Sequence, residues 1–359
     1  MVQLAGIVPP HVLAQVLESL KSGIWADSKH VQELEKDFAK YIGTKFCRAV
    51  SNGTAALLAM IYAADLKVGD EVIVPSFSFI ATANCLLVSG ATPKFVDIDP
   101  ATFNLDPDLV SKAITPKTKA ILPVHLYGLC ADMAPLQELA EKHNLILFED
   151  ACQAHGATYK GKKAGNLSLA GAFSLYPTKN MICGGEGGLV TTNDETFINK
   201  VRLFVNHGQT AKYVHEAMGF NFRLIEIAGI IGKWSLSVLD ENNQKRAAIA
   251  KRYNDGLAEI SQVKTPIIPE GRTHVFHQYT IRAQKRDKLA EHLQKSEIGY
   301  GIHYGTPIHL QQFYKARGNP PHLPITEQLA KEVISLPIHP SLTDEQVDFV
   351  IATIKAFYS

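Results

Sequence analysis

The chain has 359 residues, of which 46% are hydrophobic and 20% charged, a composition typical of a globular protein with enough apolar residues for a large core. This length predicts roughly two domains, at about 150 residues per domain. The 36 Lys and Arg residues balance the 35 Asp and Glu residues, which disfavours nucleic acid and membrane surfaces as partners. No apolar run is long enough to span a bilayer and the start of the chain is unlike a secretory signal, so a cytoplasmic location is expected. The five cysteines include no CxxC pair, which predicts buried free thiols.

The first two elements are predicted to be amphipathic helices. Apolar residues recur at helical spacing over 9–22 and over 28–42, and a glycine follows each segment. A short strand and turn are predicted from Cys47 to Thr54, followed by a helix over 55–64. A turn that leads into a helix leaves free backbone N–H groups at Gly53 and Thr54, which is a favourable place for a phosphate. An ordinary capped helix explains the same residues.

From Gly69 onward, short apolar segments alternate with helical ones. The predicted strands are 71–75, 94–97, 120–124, 145–148, 169–175 and 187–192, and the predicted helices between them include 80–89 and 133–143. Buried strands that alternate with helices are typical of a mostly parallel central sheet covered by helices on both faces. The fold class is therefore expected to be α/β.

Two residues with reactive side chains follow predicted strand ends. Lys179 comes after the strand 169–175, which cannot continue through Pro177, and Asp150 comes soon after the strand 145–148. Open α/β sheets bind ligands at this edge, where a lysine with a partly neutral amine can form a Schiff base. With the turn at Gly53, these residues match what pyridoxal phosphate requires: an amine, a carboxylate for the ring nitrogen and a phosphate site. A surface lysine and a structural carboxylate are the ordinary alternatives.

The C-terminal third is predicted to form a second domain. A long charged helix over 238–257 is expected to lead from a large cofactor-binding domain, 1–240, into a smaller α+β domain, 241–359. Further predicted elements are the strands 276–282 and 301–304 and the helices 286–296, 326–333 and 344–358. The loop 305–324 is rich in Pro, Gly and His, and its length favours a functional role.

The sequence also resembles the sugar aminotransferases of DegT/StrS type, within the fold-type-I pyridoxal phosphate enzymes. The matching segments occur in family order over nearly the whole chain: SNGTAAL at Ser51, GDEVIVPSFSFIAT at Gly69, FVDIDPATFNLD at Phe95, PVHLYG at Pro123, EDACQAHGATYKGKKAG at Glu149, FSLYPTKN at Phe173 with GGEGG, NHG at Asn206, GFNFR at Gly219, HYGTPIHL at His303 and SLPIHPSLT at Ser335. The resemblance implies a fold-type-I aminotransferase-like architecture.

Carried over by position, the resemblance implies contacts with the cofactor, pyridoxal 5′-phosphate. The implied contacts are Lys179 (Schiff base), Asp150 (ring nitrogen), Gly53, Thr54 and Ser174 (phosphate), Phe79 (ring face), Gln153 (near the 3-oxygen) and Asn221 (phosphate of the neighbouring subunit). The contact from Asn221 would make the active unit a homodimer. No metal is implied.

The resemblance also points to residues for the substrate. His303, Tyr304 and His309 would lie where the family shapes its sugar pocket, although hydrogen bonding within the loop explains the histidines equally well. Cations for a diphosphate group would come from Arg223, Lys212 or Arg246, and a solvated surface charge is the ordinary alternative for each of these.

Because the lysine is retained, the resemblance implies transamination. Lys179 would move the proton as general base and acid, and an amino donor, expected to be glutamate, would convert the cofactor to pyridoxamine 5′-phosphate. A nucleotide-linked keto-sugar would then take the amino group, in ping-pong order. The alternatives are a keto-cyclitol or another substrate without a nucleotide, and a cofactor-binding regulator without turnover. The sequence contains no GxGxxG, GxSxG or HExxH motif.

Overall fold

The structure is a computed structural model that describes residues 8–359. Its helices in this range are α1 (Pro10–Ser22), α2 (Lys29–Ile42), α3 (Gly53–Ala63), α4 (Ala81–Val88), α5 (Pro107–Ala113), α6 (Met133–His143), α7 (Glu195–Phe204), α8 (Glu226–Ser237), α9 (Leu239–Leu257), α10 (Arg286–Lys295), α11 (Gln312–Lys315), α12 (Pro324–Glu332) and α13 (Asp344–Tyr358). Its strands are β1 (Phe46–Val50), β2 (Glu71–Pro75), β3 (Thr92–Val96), β4 (Thr118–Ile121), β5 (Ile146–Asp150), β6 (Thr158–Tyr159), β7 (Lys162–Lys163), β8 (Ala170–Ser174), β9 (Gly188–Thr192), β10 (Gln209–Ala211), β11 (Val214–His215), β12 (Val263–Lys264), β13 (Tyr279–Ala283) and β14 (Val333–Leu336).

The central sheet has seven strands in the order β1-β9-β8-β5-β4-β2-β3. The strands from β3 to β8 in this order run parallel, whereas β9 is antiparallel to both of its neighbours. The predicted α/β class with a mostly parallel sheet is therefore confirmed. Its parallel direction brings the carboxyl ends of β2, β5 and β8 to one edge.

Apolar cores cover both faces of this sheet. Successive residues of one strand point to opposite faces, so Leu147 packs in the core that contains α2, while Phe148 packs in the core that contains α3 and α7. Phe173 and Ala172 of β8 divide between the two cores in the same way. Burying a side chain of this size stabilises the fold by about 1.5–3 kcal/mol, which explains why these strands have apolar residues on both faces.

The two N-terminal helices are confirmed, and each ends at a glycine in the left-handed region, Gly23 with φ 73° and Gly43 with φ 87°. The apolar stripe of α2 is buried. In α1, Val12 is buried, but Leu13 and Leu17 remain exposed. The five cysteines are free thiols, four of them buried and Cys152 half-buried, as predicted.

The C-terminal part contains a three-stranded antiparallel sheet, β12-β13-β14, whose core is formed by residues between Ile249 and Ile354. The predicted long helix is confirmed as α9. The predicted strand at 301–304 is wrong, because Gly301 alone pairs with Ser335 before the chain turns. The strand that pairs with β13 is β14, whose first residue, Val333, falls in the predicted helix 326–333. A domain boundary at 240/241 stays a prediction.

Among residues 8–359, no helix combines the length and the apolar character that a membrane crossing needs. The cytoplasmic location stays a prediction.

Candidate active site

A cavity of about 860 Å³ opens where β2, β5 and β8 end and α3 begins. Most of the predicted site residues line it: Gly53, Thr54, Phe79, Asp150, Gln153, Ser174, Lys179, His303 and Tyr304. These residues come from segments that are far apart in the sequence, and the parallel sheet brings them to one edge. The cavity is therefore the candidate active site.

Asp150 is the last residue of β5, and its carboxylate is buried and fully oriented. One oxygen accepts a hydrogen bond from the Thr82 hydroxyl at 2.8 Å, and the other accepts from the backbone N–H of Cys152 at 3.2 Å. The Thr82 proton is used in this bond, so the Ser78 hydroxyl, 2.9 Å away, must donate to Thr82. This series of hydrogen bonds, from Ser78 through Thr82 to Asp150, holds the carboxylate in place at the cavity wall.

Lys179 lies in the turn that follows β8, where its backbone N–H donates to the carbonyl of Tyr176 at 2.8 Å. The next residue, Asn180, anchors the turn by donating to Asn243 Oδ1 and to the carbonyl of Val275, both at 2.8 Å. Burial lowers the pKa of Lys179, and the nearby Cys152 and Asp150 oppose this shift in part. A lowered pKa leaves more of the amine neutral, which is the form that attacks a carbonyl carbon.

The N-terminus of α3 forms the part of the cavity that suits a phosphate. Asn52 caps the helix by accepting from the N–H of Ala55 at 2.8 Å, and the first helical N–H groups have no acceptor within the helix. Gly53 is required here, because an added Cβ would lie 2.6 Å from the Cβ of Ser174. The N–H groups, the helix dipole and the absent side chain together fit a phosphate group.

The opposite wall is formed by loops. Tyr304 accepts a hydrogen bond from Gln153 Nε2 at 3.2 Å, and Gln153 Oε1 accepts from the N–H of Tyr127 at 2.8 Å. His303 Nδ1 lies 3.0 Å from the hydroxyl of Ser335. Burial lowers the pKa of His303, so this imidazole is kept neutral. Phe79 is the most exposed member of this wall, at 57%.

Some predicted substrate residues lie elsewhere. His309 does not line the cavity, and its imidazole is buried against Ser76 and Glu327. Arg246 is also buried and donates to the carbonyls of Phe276 and Ile338, so it was wrongly proposed as a cation for a diphosphate. The direction of both side chains depends on partners that are distant in the sequence, so it could not be predicted.

Asn221, Arg223 and Lys212 also lie outside this cavity. Arg223 donates to Asn221 Oδ1 at 3.1 Å and to Asn206 Oδ1 at 3.2 Å, and Lys212 is exposed in the connection between β10 and β11. Their assignment to substrate or to a neighbouring subunit stays a prediction.

Other residues of the cavity had no predicted role. These are Asn52, Ala55, Leu57, Leu58, Ser78, Ala81, Thr82, Cys152, Tyr176, Thr178, Glu186, Phe222, His277 and Gln278. The cap position of Asn52 could have been found from the turn residues before α3. Thr82 and His277 gave no signal, because a polar residue within a helix or before a strand has many structural explanations.

Residues 10–355 match the model of the DegT/DnrJ/EryC1/StrS aminotransferase family. The chain belongs to this family. It is 42% identical to the "Pleiotropic regulatory protein" of Geobacillus stearothermophilus, over 97% of this chain and 95% of the relative. It is 40% identical to the "dTDP-3-amino-3,4,6-trideoxy-alpha-D-glucose transaminase" of Streptomyces venezuelae, over 95% of this chain and 90% of the relative.

Among solved structures, the chain is similar to the DesV protein of S. venezuelae "in complex with ketimine intermediate". The TM-score is 0.95 and the identity 39%, over 97% of this chain and 94% of that chain. The predicted fold-type-I aminotransferase architecture is therefore confirmed, and the protein is a sugar aminotransferase whose cofactor is pyridoxal 5′-phosphate. The amine of Lys179, the carboxylate of Asp150 and the cradle at Gly53 fit the three groups of this cofactor.

Proposed function

We propose that this enzyme moves an amino group from glutamate to a nucleotide-linked keto-sugar, in ping-pong order, at the cavity that contains Lys179 and Asp150. The observation that carries the proposal is the meeting of these two side chains with the N-terminus of α3 in one cavity of about 860 Å³. This volume leaves room beside the cofactor for a second molecule. The dTDP-sugar transaminase of S. venezuelae supports a nucleotide-linked acceptor.

The bound cofactor would supply an electron sink that stabilises negative charge on the amine carbon. The chain's own residues do the remaining work. Asp150, held by Thr82 and Cys152, keeps a negative charge where the ring nitrogen would lie and so favours its protonated form. Gly53 and Thr54 would bind the phosphate with backbone N–H groups, which fixes the position of the ring.

Lys179 would have two tasks. Its neutral amine would bind the cofactor covalently. Once displaced by the amino donor, this amine would take a proton from the amine carbon of the donor and deliver it to C4′ of the cofactor. The lowered pKa of Lys179 favours the neutral amine that begins each of these steps. The proton taken in the first transfer converts this amine to its charged form, which is the acid for the second transfer. One residue at one position therefore acts as both base and acid.

We further propose that the active unit is a homodimer. Among the described residues that line the cavity, Lys179 is the single Lys or Arg, and a nucleotide diphosphate carries charges that this lysine cannot neutralise while it binds the cofactor. Asn221, Arg223 and Lys212 are candidates to complete the site from a second copy. The variant Lys212→Cys is expected to crosslink between copies, and an active monomer would exclude this arrangement.

The test follows the two half-reactions separately by the absorbance of the cofactor. Glutamate alone should convert the aldehyde form of the cofactor to the amine form, and a correct keto-sugar nucleotide should convert it back. The control is the same sugar without its nucleotide. A return of the aldehyde form only with free keto-cyclitols or free sugars would contradict the proposal.

A second candidate function is regulation without turnover, which the similarity to the pleiotropic regulatory protein favours. The same experiment distinguishes it, because a regulator would bind the cofactor and leave it in the aldehyde form with every amino acid offered.

A further inference from the structure

The cavity wall that is formed by loops, which we call the loop wall, includes the segments 76–79 and 303–309. These two segments meet at a buried serine and a buried histidine. Ser76 follows β2 and precedes the cavity residues Ser78 and Phe79, while His309 follows the cavity residues His303 and Tyr304. Both Ser76 and His309 are buried, at 0% and 1% exposure. Neither lines the cavity, so their effect on it must pass through the residues they hold.

Three hydrogen bonds join the two segments at this point. The N–H of Ile308 donates to the carbonyl of Ser76 at 2.9 Å, and the N–H of His309 donates to the Ser76 hydroxyl at 3.0 Å. The same hydroxyl lies 2.6 Å from Nδ1 of His309. We call the pair Ser76–His309 the loop clip.

The surroundings of the clip select one arrangement of its protons. Nε2 of His309 lies 3.4 Å from a carboxylate oxygen of Glu327, which can only accept when ionised. The imidazole therefore has its proton on Nε2, and Nδ1 accepts from the Ser76 hydroxyl. Burial lowers the pKa of His309, which agrees with a neutral ring. Glu327 also accepts from the N–H of Leu323 at 3.0 Å, so it joins the clip to the far end of the loop.

The loop around the clip is supported on one side by a small apolar core, in which Ile308 and Tyr314 pack with Ala83. A second cavity, of about 410 Å³, separates parts of the segment 309–321 from β3 and the end of α4. Tyr314 supplies one further anchor, by donating to Asn84 Oδ1 at 2.8 Å. A gap beside a loop removes packing contacts, so the buried hydrogen bonds of the clip carry more of its positioning.

We propose that His309 is a positioning residue, which clips the segment of His303 and Tyr304 to the strand end that leads to Phe79 and thereby sets the shape of the pocket for the amino acceptor. Phe77, next to Ser76, packs edge-on against the ring of Tyr304 with 6.4 Å between ring centroids. The position of Ser76 therefore affects the position of Tyr304 in the cavity wall. The strand-end residues Asp150 and Lys179 are held by other contacts. Loss of the clip should therefore affect acceptor binding more than the cofactor chemistry.

The first experiment measures steady-state kinetics of the loaded enzyme with His309→Ala, Ser76→Ala and the double variant, and this arm depends on the proposed function. Each single change should raise KM for the keto-sugar nucleotide about tenfold, the size expected for a lost buried hydrogen bond, and change kcat less than threefold. The glutamate half-reaction should keep its rate within about twofold. The double variant should equal Ser76→Ala, because the loss of the hydroxyl already removes its bond to Nδ1 and its bond to the N–H of residue 309.

His309→Asn provides the rescue, because its amide oxygen can take the place of Nδ1 and accept from Ser76. KM should return to within about threefold of the wild-type value. The matched control is His322→Ala, which removes another contact of Glu327 at an exposed position and should leave KM unchanged. An asparagine variant as impaired as the alanine variant, additive single effects, or an unchanged KM in His309→Ala would overturn the proposal.

The second experiment needs no substrate and therefore separates failure of the clip from failure of the proposed function. Trypsin can cut the loop after Lys315 and Arg317, which are exposed. Cleavage there should become about tenfold faster in His309→Ala and Ser76→Ala, at a temperature where circular dichroism shows each variant folded. The rates for His322→Ala and His309→Asn should stay near that of the wild type. Equal cleavage of His309→Ala and the wild type would contradict the clip.

Discussion

The two walls of the cavity are built from different kinds of structure. The wall at the strand ends carries Asp150 at 3% exposure and Ser174 at 8%. Asp150 is fixed by parallel pairing with β8, and Ser174 by antiparallel pairing with β9. The loop wall carries Phe79 at 57% exposure, and its other members depend on side-chain hydrogen bonds between distant segments. The rigid wall suits the chemistry that every substrate shares, and the loop wall suits selection among substrates.

The largest effect is expected from Asp150→Asn on the strand-end wall. The neutral amide cannot keep the ring nitrogen of the cofactor protonated, so both half-reactions should slow by about 10³-fold, in the range for a positioned proton-transfer group. Stopped-flow absorbance measures each half-reaction. Asp65→Asn, at an exposed carboxylate, is the control. Full activity of Asp150→Asn would show that this wall does not supply the chemistry.

A smaller effect is expected from Gly53→Ala. The new Cβ would lie 2.6 Å from the Cβ of Ser174, and relief of such overpacking costs about 1–3 kcal/mol. The dissociation constant of the cofactor should rise about tenfold to a hundredfold, as measured by fluorescence titration. Gly185→Ala is the matched control, because no atom lies within 4 Å of its added Cβ. Equal affinity of the two variants would contradict the phosphate cradle.

Tyr304→Phe probes the loop wall. The change removes the hydroxyl that accepts from Gln153 Nε2, so the ring loses one constraint while its bulk remains. KM for the acceptor should rise about threefold to tenfold, and the rate with glutamate alone should not change. Tyr300→Phe serves as the control outside the cavity. An equal loss in both half-reactions would remove the distinction between the two walls.

The smallest effect concerns the stability of the protein without cofactor. Burial lowers the pKa of Lys179, so the folded state holds this proton less tightly than the unfolded state, and stability falls as pH drops from above 10 towards the lowered pKa. Lys179→Met should therefore raise Tm by about 2 °C at pH 7. The gain should shrink at pH 10. Lys288→Met is the exposed control, and a lower Tm for Lys179→Met at pH 7 would contradict the sign.

The sequence predicts the regular elements better than the contacts between them. The strand at 71–75 and the helices at 133–143 and 344–358 match the structure at both ends, because periodicity and end signals are local. The antiparallel direction of β9 and the pairing of β14 depend on partners far along the chain. The short apolar segment that contains β14 is compatible with either helix or strand.

The same contrast between local signals and distant contacts applies to the residues of the site. Asp150 and Lys179 could be predicted because strand ends in an α/β sheet determine where their side chains lie. Thr82, which orients Asp150, gave no signal within a helical segment. The family resemblance places His309 at the sugar pocket, and its charge makes Arg246 a candidate for a diphosphate, although both side chains are turned inwards to bind backbone or side-chain partners.

The amine of Lys179 is proposed to bind the cofactor covalently. Reduction of the protein loaded with pyridoxal 5′-phosphate by borohydride, followed by proteolysis and mass spectrometry, tests it directly. The reduced cofactor should be found on the peptide that contains Lys179, and Lys179→Ala should yield no labelled peptide and no turnover. A label on another lysine, or turnover by Lys179→Ala, would contradict it.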